Sequence, residues 1–233
     1  MSKKIKFISI NKYIYDTENT SMPAHKLIPE WYKKINANYE NSNRIGRDKG
    51  TVKKCIPYLD ALSFGYMWTL PFDIEVSNSE SGKIFKWQVE NRENFVHLEP
   101  KYRVDGMSTP EGFDEEIWRF LSFPMIETPA GYSVLITHPL NRYDLPILTI
   151  SGIIDTDKLH QESSVAFYLK KDFTGILKKD MPIAQVIPFK REKWQHEYCQ
   201  PYPENVINKL NFEIRSIING SYAKQFWSKK EFK

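Results

Sequence analysis

Large apolar and acidic side chains alternate along Phe72-Asp73-Ile74-Glu75-Val76, and this period of two predicts a half-exposed strand. The turn formers Asn78-Ser79-Glu80-Ser81-Gly82 follow, and Lys83-Ile84-Phe85-Lys86-Trp87-Gln88-Val89 completes a hairpin. The clearest β signal begins at Gly131-Tyr132-Ser133-Val134-Leu135-Ile136-Thr137 and resumes from Leu145 through Ile154. Ser164–Leu169 and Ile183–Phe189 add two further strands, and residues 4–15 read as an initial one.

Helical signals are fewer. Pro29 is placed to start a short helix whose Trp31 and Ile35 cover a sheet face, with an exposed connection running on through residue 50. Residues 101–130 carry turn formers and the aromatics Phe113, Trp118, Phe120 and Phe123. They read as an extended loop across the sheet, with a short helical segment around residues 114–120. After Pro203, the apolar positions Val206, Leu210, Ile214, Ile217 and Ile218 follow helical spacing until Asn219-Gly220, which predicts a peripheral helix over 203–220. Short strands divided by Gly, Pro, Asn and Asp favour a mainly β fold: a compact β-sandwich or β-clip core with peripheral short helices and a C-terminal helix. One principal domain over 1–233 is the expected organisation, with 128–189 its most diagnostic segment.

Charge narrows the choice of partners only slightly. Thirty-three Lys plus Arg against twenty-nine Asp plus Glu leave a formal charge of +4, a modest excess that gives no strong nucleic-acid signal. The pairs Lys170-Lys171 and Lys178-Lys179, with Phe167, Tyr168 and Phe173 nearby, read either as solvated charge over core aromatics or as an anion-binding edge. No stretch approaches a membrane span, and the polar interruptions after Met1 do not read as a secretory signal. Cys55 and Cys199 form no close thiol pair, and His25, His97, His138, His160 and His196 include no metal-ligand spacing, so no resident metal or cofactor is expected. Ser133 lacks the surroundings of a nucleophile elbow, and no phosphate loop occurs.

Three segments in order carry a resemblance: Thr128-Pro129-Ala130-Gly131-Tyr132, then Gly152-Ile153-Ile154-Asp155-Thr156-Asp157, then Leu177 through Ile187. Residues 128–187 resemble the core of the dUTP pyrophosphatase and dCTP deaminase superfamily. That resemblance implies a β-clip core that often forms symmetric trimers, with Asp155 orienting water and recognising deoxyribose. It also implies Mg2+ on the triphosphate, with Arg142 as the displaced candidate for the phosphate contact. Lys158-Leu159-His160-Gln161 stands where the family has a nucleotide-covering aromatic, and the phosphate-contacting Arg-Ser-Gly segment is replaced by Thr137-His138-Pro139-Leu140-Asn141-Arg142. The whole chain also resembles uncharacterised tailed-phage proteins, through Ile28-Pro29-Glu30-Trp31-Tyr32 and Ala184 through Glu192.

These readings lead to a phage binding or assembly protein without established catalysis. Trp31, Trp118, Phe226 or Trp227 would be its apolar anchors, and the last residues would form a docking tail. Self-association or phage structural proteins are the expected partners, in the host-cell cytoplasm or later in a virion. The alternative is a magnesium-dependent nucleotide pyrophosphate hydrolase acting on dUTP or a related nucleotide, with Asp155 near the water and Arg142 near phosphate.

Overall fold

A computed structural model describes residues 3–9, 20–39, 50–88, 94–209 and 226–233. In chain order the strands are β1 (Lys6–Ile8), β2 (Ser21–Pro23), β3 (Tyr66–Thr69), β4 (Ile74–Ser79), β5 (Gly82–Lys86), β6 (Val96–Leu98) and β7 (Phe113–Phe123). They continue with β8 (Met125–Glu127), β9 (Tyr132–Thr137), β10 (Ile147–Thr149), β11 (Gly152–Ile154), β12 (Ser163–Lys170), β13 (Gly175–Leu177) and β14 (Pro182–Lys190). The fold is mainly β, with a five-stranded sheet β11-β9-β14-β3-β2, a four-stranded sheet β10-β12-β7-β6, and smaller sheets β13-β4-β5 and β1-β8. Every pairing is antiparallel.

Both large sheets feed one apolar cluster. Trp68, Val134, Ile136, Ile183 and Val186 come from the five-stranded sheet, while Phe120, Phe123, Ile147, Val165 and Phe167 come from the four-stranded one. Trp68 meets Phe123 across the sheets with ring centroids 5.1 Å apart, and Phe120 stacks on Phe167 at 4.1 Å. Inward faces from two sheets close on each other as in a sandwich. The expected hairpin is present as β4–β5, turning through Glu80-Ser81 with Gly82 at φ 120. Val89, assigned to its second arm, lies outside the described residues.

Four expectations need correction. The segment expected as a loop with a helix at 114–120 is the eleven-residue strand β7, paired on both sides by β6 and β12. Its register against β12 shifts twice, and Ser122 takes φ 61, so bulges break the period of two that would have marked a strand. Trp118 on this strand is buried and cannot be a surface anchor. The stretch from Leu145 through Ile154 is not one strand: β10 pairs with β12 and β11 with β9, so the chain changes sheets at Ile150-Ser151. Finally, in the helix Glu30–Lys34, Tyr32 is the buried residue, stacked at 5.9 Å on Tyr58, while Trp31 is exposed.

At the amino end β1 covers only Lys6–Ile8, and residues 10–15 lie outside the described residues. Residues 204–209 form the start of the C-terminal helix, while Leu210, Ile214, Ile217, Ile218 and Asn219-Gly220 also lie outside them. Gln185 is fully buried on β14 and acts as a polar clamp. Its Oε1 accepts from the Leu140 N–H at 2.8 Å, and its Nε2 donates to the carbonyls of Ala61 at 3.0 Å and Phe64 at 2.6 Å. Those two carbonyls close the helix Ile56–Ser63, whose last carbonyls have no intrahelical partner.

Candidate functional site around Asp155

The antiparallel registers bring the resembling segments together. β11 lies on β9 with Ile154 opposite Val134, so Asp155 emerges beside Ser133. β14 lies on the other side of β9 with Lys190 opposite Tyr132, which delivers Arg191 to Gly131. The Arg191 N–H donates to the Gly131 carbonyl at 2.9 Å, and Gly131 takes φ 83 to turn the chain there.

Arg191 is the hub. Its guanidinium lies 2.9 Å from the Tyr132 carbonyl, 2.8 Å from Ser133 Oγ and 2.9 Å from Asp157 Oδ1, and its second terminal nitrogen meets Asp157 Oδ2 at 2.5 Å. Asp155 Oδ1 accepts from Ser133 Oγ at 2.6 Å and stands 3.3 Å from Arg191. The Gly131 N–H donates to Asp157 Oδ2 at 2.8 Å. Beneath this layer the buried hydroxyls of Thr128 and Thr156 bond at 2.7 Å.

The two carboxylates differ in access: the Asp155 side chain is 49% exposed and that of Asp157 7%. The Ser133 hydroxyl, and then the charge of Arg191, hold the Asp155 carboxyl below its ordinary value. Arg191, joined by the Gly131 N–H, holds Asp157 well below the usual carboxylate range. A carboxylate stabilised in its ionised form accepts hydrogen bonds well and is a weak base toward water at neutral pH. Asp155 is therefore better suited to recognising a donor than to removing a proton.

Arg142 lies elsewhere. It follows the far end of β9, and Ser133 and Thr137 alone are separated by about 13 Å of strand. Arg142 is buried and chelates Asp144 through Nε at 2.9 Å and its terminal nitrogen at 3.0 Å. Burial opposes ionisation of Asp144, and the guanidinium overrides it, holding that carboxyl below its ordinary value. His138 completes this second cluster. Its Nε2 meets the Arg142 carbonyl at 3.0 Å and its Nδ1 accepts from the Thr149 N–H at 3.3 Å, while burial pushes its pKa down. The two sequence candidates are thus not brought together.

Magnesium takes hard oxygen donors with room for retained water. Here the Arg191 guanidinium lies against both carboxylates, and among the described residues no group of three or more His, Cys, Asp or Glu is placed to hold a metal. These residues do not fit a resident magnesium site. A cavity of about 370 Å³ adjoins the network and is lined by Ile136, Gly152, Ile154, Thr156 and Val165, with Arg119 at one wall. That arginine pairs with the buried Glu99 and donates to Ser164 Oγ at 2.8 Å.

Arg191 lies outside the three segments that resemble the nucleotide enzymes, and only the β9–β14 register reveals it as the partner of Asp155 and Asp157. At the basic edge Phe167 and Tyr168 are buried, as core aromatics beneath the lysines, and Lys178 pairs with Asp73 at 3.2 Å. Cys55 and Cys199 are free thiols at the surface. No family model, curated protein or solved structure matches the chain.

Proposed function

We propose that the chain is a binding or assembly module, acting through surface complementarity rather than nucleotide hydrolysis. The observation that carries this reading is the state of the two candidate charges. Arg142 is buried on Asp144 beyond one end of β9, and Asp155 is paired with Ser133 and Arg191 at the other. Phosphate transfer needs an acid–base group and a cation converging on one substrate. Trp31 and Phe226, both exposed, are the anchors that support partner contact, with self-association or phage structural proteins as the partners.

One observation favours a second reading. The Asp155 side chain is half-exposed, as a residue recognising a nucleotide would be, and its chain neighbours Ile154 and Thr156 line the 370 Å³ cavity. The two readings separate in a panel of deoxynucleoside triphosphates with magnesium, monitored for pyrophosphate release by wild type and Asp155→Asn. The expected result is no turnover above background for either protein. Turnover by wild type that vanishes in a folded D155N variant overturns the binding reading.

A further inference from the structure

The C-terminal residues return to the helix Ile56–Ser63 and the strand after it. Trp227 Nε1 donates to both carboxylate oxygens of Asp60, at 3.0 and 3.2 Å, and Lys230 Nζ stands 2.6 Å from the same group. Phe232 packs edge-on against Phe64 at 4.9 Å and Tyr66 at 5.7 Å, and the Tyr66 hydroxyl donates to the Lys233 carbonyl at 3.2 Å. An indole N–H, a cation and an apolar ring thus meet an acceptor, an anion and an aromatic wall in the order Trp-x-x-Lys-x-Phe. Such short anchored segments are a recurring mode of peptide recognition.

The first part of the arm leading to this tail stands in solvent. Every residue from Glu192 to Asn205 is exposed, and the arm carries Trp194 at 85%, Tyr198 at 94% and Tyr202 at 69% exposure. The contacts that hold residues 227–233 in this groove are offered identically by a second copy. The twelve residues 192–203 alone span on the order of 40 Å when extended, so reach does not restrict the tail to its own groove.

We propose that the groove formed by Asp60, Phe64 and Tyr66 is a recognition site for the Trp-x-x-Lys-x-Phe tail of a second copy of this chain. Two copies exchange tails reciprocally, a closed arrangement in which each gives and receives one segment. The three exposed arm aromatics gain cover between the paired arms. This inference rests on the assembly reading and names its partner.

Two full-length variants test it. Asp60→Lys breaks the groove and keeps the tail; the double variant Trp227→Ala/Phe232→Ala does the reverse. A fluorescent peptide of residues 226–233 is expected to bind the tail-broken protein at least tenfold more tightly than wild type, whose own tails compete, and not to bind D60K. In light scattering each variant alone is expected to be a monomer, and their equimolar mixture a 1:1 complex. Circular dichroism checks folding, and Asp60→Asn replaces D60K should the latter misfold. Equal peptide binding to all proteins, or no complex on mixing, overturns tail exchange. If the mixture fails while wild type still self-associates, the exchange is wrong and the assembly reading stands. If the complex forms while Asp155-dependent pyrophosphate release is found, the assembly reading alone is incomplete and the exchange stands.

Discussion

Replacing Gln185 by leucine removes three hydrogen bonds from one buried side chain while nearly preserving its volume. The Leu140 N–H loses its acceptor, and the Ala61 and Phe64 carbonyls at the end of the helix Ile56–Ser63 lose their donor. At a net ~1 kcal/mol for each bond, and more where a buried group is left without a partner, the loss is about 3 kcal/mol. The leucine side chain recovers part of this through burial, which sets the expected range at ~2–4 kcal/mol. For a chain of this length that corresponds to a melting temperature lower by about 10 °C. Urea unfolding at neutral pH is the assay, read as a lower midpoint at constant slope. Gln185→Glu separates the polar account from a packing account. It presents an oxygen to two carbonyl oxygens, so its loss should exceed that of the leucine variant at neutral pH and shrink in acid, where the carboxyl can donate. A Q185L protein within ~0.5 kcal/mol of wild type, or a Q185E protein indifferent to pH, would refute the clamp.

Other perturbations probe separate parts of the molecule. Phe167→Ala empties a fully buried position stacked at 4.1 Å on Phe120, and should cost ~3–5 kcal/mol in the same urea assay. Gly65→Ala places a methyl group 2.4 Å from the Val186 carbonyl oxygen at φ +73, so a loss of at least ~2 kcal/mol is expected, and unchanged stability would mean that β3 and β14 part easily there. His138 has its pKa lowered by burial, so the unfolded chain binds this proton more readily than the native one. That contribution is complete above the unfolded value near ~6.5 and declines as pH falls below it, by at most ~1.4 kcal/mol per pH unit. Stability curves of wild type and His138→Asn should therefore converge on acidification, and parallel curves would refute the assignment. The Asp157–Arg191 contribution is present above the ordinary carboxylate range and is lost only in stronger acid, so Arg191→Gln should flatten the low-pH limb of the unfolding profile.

What was legible in the sequence follows the regularity of the backbone. β9, β12 and β14 alternate or run apolar between clear turns, and they stand within a residue of the segments read from the pattern. β7 was hidden because two register shifts put residues of unlike polarity on the same face. The change of sheet at Ile150-Ser151 was hidden for a different reason, since strand propensity does not say which neighbour a strand will choose. At the candidate site, Asp155 was visible as part of a motif, whereas its neutralisation by Arg191 depends on the β9–β14 register. Arg142 looked available because the bidentate partner two residues later, Asp144, takes it up only after the loop has folded.

The position of β14 has a consequence for the order of biosynthesis. It is the last of the described strands and the middle of the five-stranded sheet, joining β9 to β3. Met67 faces Gln185, so β3 leaves the ribosome more than a hundred residues before its principal partner. At ~5–20 residues per second this interval is on the order of 10 s. Throughout it, Trp68 and Leu70 have no β14 residues to pack against, and the β3 edge facing β14 is an open strand template. The nascent chain thus carries an aggregation hazard from the emergence of β3 until that of β14, and ribosome-associated holdases that cover apolar strands are the factors on which its yield should depend.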